Sequence, residues 1–196
     1  MRVLRENAVL GGFAILGTNS IGPQVGKDLR GQATRAAFYA LLGMLIYIAF
    51  RFKFIYGISA LLTLIHDTLV ILTVILLFNI EINLTVVAAI LTLVGYSLND
   101  TIVIFDRIRD NLKIMRGKDA SLLMDTSINQ TLSRTIITSG TTLFAIIALL
   151  IWGGEVLYPF AFTLFVGIII GTYSSIYQSC AWLFVWEKKF MGRKKT

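Results

Sequence analysis

The sequence predicts an all-α membrane protein, a five-transmembrane-helix bundle behind a short extracytoplasmic N-terminal segment, and three observations carry that expectation. Of its 196 residues, 56% are hydrophobic and only 15% charged, against roughly 25% charged in an ordinary soluble domain. Mean hydropathy is +0.77. The apolar residues gather into five runs, each near the ~20 helical residues that cross a hydrocarbon core ~30 Å thick. The basic residues gather in alternate loops between those runs. The same composition excludes several chemistries: one Cys rules out an intrachain disulfide or a Cys-rich metal site, and one His rules out a multi-His centre. A net charge of +7 would suggest nucleic acid in a soluble protein. In a membrane protein it records which loops stay in the cytoplasm, so no nucleic-acid partner is expected.

The elements follow in order. Residues 1–33 read as an extracytoplasmic remnant and connector, a strand and turn left over from a larger exported domain; Gly11-Gly12 breaks an apolar stretch too short for a good signal peptide. The first span covers about 34–53 and ends at Arg51 and Lys53, and the second, 54–79, follows after a tight turn. The third, 82–112, runs past its apolar part into Asp106-Arg107-Ile108-Arg109, where Asp106 to Arg109 and Asp110 to Lys113 are spaced i, i+3 for ion pairing. Asp119 to Leu132 reads as a short amphipathic helix capped by Asp119 and lying along the inner membrane surface. The fourth and fifth spans cover 134–153 and 158–187, and 191–196 is a basic tail. Arg51, Lys53, the cluster from Arg107 to Lys118 and the tail lie on one side, whereas the loops opposite carry Glu81 and Glu155. By the positive-inside bias the C-terminus is cytoplasmic. A basic N-terminal segment translocates poorly by itself, so something upstream of Met1 is expected.

An ionisable group at the centre of a membrane helix costs ~2.5 to 3.5 kcal/mol on insertion scales, which makes each one a functional candidate unless it snorkels. His66 and Asp67 lie near the middle of the second span, on one stripe with Ser59 and Thr63. The stripe serves either as interhelical hydrogen bonding or as part of a proton path. In the third span Thr85, Thr92, Tyr96, Asn99 and Asp100 form another stripe. Asp100 is either a static, paired carboxylate or a proton carrier, because a lone carboxylate in lipid tends to neutralise and a nearby cation favours its ionised form. Arg134 opens the fourth span, with Thr138 continuing its face. Alone it reads as a snorkeller; opposite Asp100 it becomes the counter-charge. Gly167, Gly171 and Ser175 at four-residue intervals make a small-xxx-small packing face, and Cys180 reads as a small buried residue.

The run from Val94 to Asn111, VGYSLNDTIVIFDRIRDN, resembles the signature of the SecF family of bacterial protein-export subunits. Ser20 to Gly26 (SIGPQVG), Leu64 to Asp67 (LIHD) and Asn129 to Ser139 (NQTLSRTIITS) support it, so the resemblance covers roughly residues 13 to 190. It implies a fold of the RND superfamily with six transmembrane helices and a large extracytoplasmic domain between the first two, of which this chain supplies helices two to six. It further implies a subunit of a SecD-SecF complex in the plasma (inner) membrane that uses the proton-motive force to promote preprotein movement through the SecYEG channel, without covalent chemistry and with protons as the coupling ion. No cofactor or metal is implied. Asp100 and Arg134 match the family's membrane-embedded charges, with Asp67 and His66 as further relay candidates and Tyr96, Asn99 and Thr138 as supporting polar groups. Two other readings stand beside this one: an RND-type exporter of small molecules or lipids, and a non-transporting scaffold for SecD.

Overall fold

The computed structural model describes residues 23–52, 54–115 and 119–191. Five rods make up this part of the chain, with no strand among the described residues: α1 (Pro23–Arg51), α2 (Phe54–Leu77), α3 (Leu84–Ile114), α4 (Ala120–Trp152), and a last rod in which α5 (Gly154–Tyr173) passes through a π-helical turn (Ser174–Gln178) into α6 (Ser179–Met191). Four of them, α2, α3, α4 and the last rod, are long and apolar enough to cross a membrane. The chain is a multi-pass membrane bundle. The strand expected near the N-terminus and the tail at 192–196 lie outside the described residues.

Sequence punctuation accounts for the corners. Asn83 caps α3, its Oδ1 accepting the backbone N–H of Val86 at 3.0 Å, which satisfies one of the orphan donors of a helix start. Asn79 takes the left-handed conformation, φ 52°, in the loop before it, and Gly154 does so at φ 72° where α4 turns into α5, a conformation glycine adopts without steric penalty. Pro23 stands at the first position of α1, where a missing N–H loses no bond.

Four expectations change. The connector before the first span is helical from Pro23 onward. The amphipathic segment after Asp119 does not lie apart from the fourth span: Ala120–Trp152 is one unbroken helix of 33 residues, about 50 Å at 1.5 Å per residue, because no Pro or paired Gly falls between the two segments to break it. Asp119 holds the N-cap position, but its carboxylate accepts from Ser121 Oγ at 2.8 Å rather than from a backbone N–H. Lys113 does pair with Asp110, at 2.9 Å, whereas Asp106 bridges to Arg51 of α1 at 2.6 Å rather than to Arg109.

Helix α3 is the hub, packing against α1, α2, α4, α5 and the π turn, while α1 touches only α2 and α3 to any extent. Two apolar clusters stack along the bundle. One gathers Phe52, Tyr56, Phe105, Ile108 and Leu183, with Tyr56 and Phe105 edge to face at 5.3 Å. The other gathers Ile71, Ile75, Val86, Leu93 and Ile168. Along α2 and the last rod the residues between the clusters include Asp67, Ser174 and Ser175, all buried. A cleft of about 430 Å³ with apolar walls opens between α1 and the α2–α3 pair, lined by Leu41, Met44, Leu64, Leu69 and Val94 among others.

Candidate functional site

Helical spacing along α2 turns Ser59, Thr63 and Asp67 to the interior, at 0%, 1% and 4% exposure. The two hydroxyls serve their own helix, Ser59 donating to Ile55 O and Thr63 to Ser59 O. Asp67 reaches outward. Its Oδ2 accepts from Ser97 Oγ of α3 at 2.8 Å and from Ser174 Oγ of the π turn at 2.7 Å, so one carboxylate oxygen ties three rods together. Its Oδ1 lies 3.3 Å from Nδ1 of His66, a side chain that is itself half exposed. Hydrogen bonds to a charged acceptor are the stronger class, and they are what a carboxylate needs when no fixed cation accompanies it into an apolar interior.

Around this tie runs a layer of hydroxyls. Ser175 Oγ donates to Ser97 O at 3.0 Å and accepts from Thr101 Oγ1 at 3.3 Å. Ser179 Oγ donates to Ser175 O at 2.6 Å. Gly171 faces Ser97 at close range: an added Cβ would lie 3.4 Å from that of Ser97, ordinary van der Waals contact. Gly167 is closer still to Leu93, whose Cδ1 would be 2.0 Å from an added Cβ. Both glycines are therefore at helix contacts, while Ser175, expected to serve packing alone, is also a hydrogen-bonding member of the polar layer.

Asp100 occupies the next turn of α3 and is as buried as Asp67, at 4%. Its Oδ2 has no hydrogen-bond partner, the single such atom among the buried side chains described. Arg134 is exposed on the flank of α4's inner face and forms no ion pair with Asp100. Thr131, Thr135 and Ser139 occupy the buried positions of that face, which leaves the arginine beside Asp100's surroundings rather than on its carboxyl. The direct Asp100–Arg134 pair expected from the sequence is thus not formed in this structure.

The supporting residues separate. Tyr96 Oη donates to Ser139 Oγ at 3.3 Å, and Ser139 Oγ lies 2.7 Å from Thr172 Oγ1, joining α3, α4 and α5. Thr138 bonds back to Arg134 O and Thr135 O within its own helix, and Asn99 is exposed. Ser97, Thr101 and Ser139 were not singled out from the sequence, whereas Ser174 was expected only to add polarity beside the small-residue face of the last span. Their signal was available only in part: serine and threonine recur throughout these spans, and which hydroxyl faces Asp67 depends on the π turn, which the sequence does not announce. On the side expected to be cytoplasmic, Asn111 donates to Ser127 Oγ at 2.8 Å and Gln130 Oε1 at 2.9 Å, and Arg107 to the same Gln130 oxygen at 2.6 Å, pinning the extension of α3 to that of α4.

Comparison with known proteins decides the family. The model for protein export membrane protein SecD/SecF, C-terminal, matches residues 5–189. The chain belongs to the SecD/SecF family. A protein translocase subunit SecF of Koribacter versatilis is 48% identical over 196 residues, all of this chain and 48% of that protein. One from Pseudomonas aeruginosa is 50% identical over 157 residues, 80% of this chain and 51% of its own length. Among solved structures, SecDF from Thermus thermophilus, a translocon-associated membrane protein, superposes with a TM-score of 0.80 at 46% identity, covering 86% of this chain and 23% of that one. The chain spans about half the length of the curated relatives it matches. In this SecD/SecF-family chain the signature run 94–111 lies on α3, LIHD on α2 and NQTLSRTIITS on α4, so three of the four stretches that carry the resemblance converge on the polar layer and its continuation beside α4.

Proposed function

We propose that this chain acts as the SecF-type half of a SecD-SecF complex, using the proton-motive force to promote preprotein translocation through the SecYEG channel. The observation that supports this most directly is the pair of carboxyls buried in membrane-length helices, one hydrogen-bonded on both sides and one with an unpartnered oxygen. Ionisable groups are costly in a bilayer and mark ion pathways. Asp100 is the site at which a proton binds and leaves, because no donor holds its Oδ2 in the ionised form. Arg134 biases that equilibrium through space and stays charged, and its approach to Asp100 would accompany proton release. Asp67 and His66 supply a second titratable pair in the same layer. No covalent chemistry is involved, and protons alone are the coupling ion. The complex resides in the bacterial inner membrane, with the chain's C-terminus in the cytoplasm, as the basic loops direct.

The test is preprotein translocation into membrane vesicles carrying the complete SecD-SecF complex, with and without a proton gradient. Asp100→Asn mimics a permanently protonated site. The expected result is loss of the gradient-dependent part of translocation at normal protein levels. An unchanged gradient response with Asp100→Asn would overturn the assignment of Asp100.

A further inference from the structure

The last rod breaks its own period at the level of Asp67. Between α5 and α6 the backbone N–H of Ser179 reaches back to Ser174 O, the five-residue step of a π turn. In a regular α-helix adjacent residues point about 100° apart. Here Ser174 and Ser175, the first two residues of the turn, are both 0% exposed. Single π turns inside α-helices are uncommon and gather at functional sites, so what holds this one matters.

Its anchors are side chains of the neighbouring rods. Ser174 Oγ donates to Asp67 Oδ2 at 2.7 Å, and Ser175 Oγ to Ser97 O at 3.0 Å. Asp67 Oδ2 also takes Ser97 Oγ, so the same oxygen fixes both the turn and the helix it rests on. Besides its bond to Asp67, Ser174 Oγ has a second acceptor in reach, Gly171 O of its own helix at 3.2 Å. A void of about 10 Å³ lies among Asp67, Ser97, Gly167 and Gly171, at the lower limit for one water molecule.

The geometry points to Asp67 as a proton-binding site whose occupancy is read by the π turn through Ser174. Ionised, the carboxylate accepts from Ser97 and Ser174 at full strength and pins the turn to α2. Protonation adds one O–H bond to the carboxyl, which then donates as well as accepts and no longer offers a charged acceptor. Ser174 is released to Gly171 O, and α6 is freed to rotate against α5. The proton enters through His66: the half-exposed imidazole first takes a proton from hydronium at Nε2, and its Nδ1–H bond then breaks as the Asp67 Oδ1–H bond forms, which returns the ring to its neutral form. Nearest along the surrounding elements are Tyr96 and Asp100 on α3, Arg134 on α4, Cys180 on α6, and Tyr173 and Tyr177 at the turn itself, both of which point outward; among the described residues only His66 lies within ion-pair distance of Asp67.

This rests on the reading of the chain as proton-driven, and the test separates the two. Amide hydrogen exchange of Ser174–Ser179 is followed in the complete complex in proteoliposomes, corrected for the intrinsic pH dependence, alongside the infrared band of protonated carboxyls. Acidification is expected to lower protection of the turn roughly threefold to twentyfold, the loss of one hydrogen bond in a bilayer. Asp67→Asn should show the low protection at every pH. Ser174→Ala should show it too while keeping the Asp67 carboxyl band, which decides the matter even if Asp67→Asn fails to assemble. A wild-type turn whose protection ignores pH, or a Ser174→Ala variant with unaltered protection, overturns the inference. Asp100→Asn keeps the pH response of the turn, so loss of gradient-driven translocation and loss of this response are independent results.

Discussion

Asp67 and Asp100 are buried to the same 4% in the same polar layer, yet they are built as opposites. Asp67 has donors from two other rods on one oxygen and a histidine beside the other. Asp100 has an oxygen that meets no donor and no ion pair with the arginine of the neighbouring helix. The difference teaches what burial alone does not: a carboxylate that several helices donate to couples its charge to the architecture, whereas one left without donors is a charge the fold has not committed to holding. Leaving a buried acceptor unmade is the costly side of hydrogen bonding, so its persistence at Asp100 calls for a role other than packing.

The largest effect that tests this contrast is on stability. Asp67→Val removes the acceptor of both Ser97 and Ser174, and at ~0.6 to 1.7 kcal/mol for each bilayer hydrogen bond the loss should be about 1 to 3 kcal/mol. Asp100→Val replaces an unpartnered acceptor by an apolar group and should be neutral or stabilising by up to ~1 kcal/mol. Unfolding of the complete complex in mixed micelles of increasing denaturing detergent measures both. If the two substitutions cost the same, the contrast between the carboxyls has no energetic content.

The next effect sharpens the geometry that brings Ser97 to Asp67. Gly171→Val pushes the last rod off α3 at the point where Ser97 sits 3.4 Å from an added Cβ, and overpacking of this kind costs ~1 to 3 kcal/mol. Gly167→Ala demands that Leu93 change rotamer, since its methyl would stand 2.0 Å away. Leu93 is buried and its Cγ would stand only 2.8 Å away as well, so the rearrangement reaches into the apolar cluster and should cost at least as much as Gly171→Val. Gly171→Val should also lower protection of the π turn from hydrogen exchange, while Gly167→Ala should leave it. The reverse order of protection would mean that the turn is held by the apolar cluster rather than by the hydroxyl layer.

Much of this was legible in the residues. Five apolar runs specified five rods, and the i, i+4, i+8 spacing of Ser59, Thr63 and Asp67 specified their inward face before any coordinates, because a bilayer leaves the backbone few alternatives to helix. The spacing of Gly167 and Gly171 likewise located a close helix contact. What the pattern could not carry was phase. The stripe read from Thr92 to Asp100 places Asn99 and Thr92 outside, since α3 is buried on several sides and its true polar face includes Ser97 and Thr101. The π turn shifts the last rod by a residue, and no residue type marks where such an insertion falls. The Asp100–Arg134 pair, unmade in this structure, depends on phase too: two helices that pass each other set the elements on which two charges stand, while contact depends on rotation of α4 about its axis.

The smallest expected effect comes from the network that lies outside both carboxyls. Tyr96 Oη donates to Ser139 Oγ over 3.3 Å, a long bond, and Ser139 keeps its 2.7 Å contact with Thr172, whose own hydroxyl donates to Ile168 O at 2.6 Å. Tyr96→Phe therefore removes one weak donor and leaves no other group of that chain without a partner. Its cost should be ~0.6 kcal/mol or less, at or below the average for hydrogen bonds between membrane helices. Because the phenol also sits in the signature run of α3, the variant is the control for Asp100→Asn: same helix, about one turn away, a partly buried polar group, with no buried charge removed. Gradient-driven translocation with Tyr96→Phe should match the parent protein. A loss as large as that from Asp100→Asn, at normal protein levels, would place the Tyr96–Ser139–Thr172 chain on the proton route and would remove the ground for treating Asp100 as the one uncommitted charge.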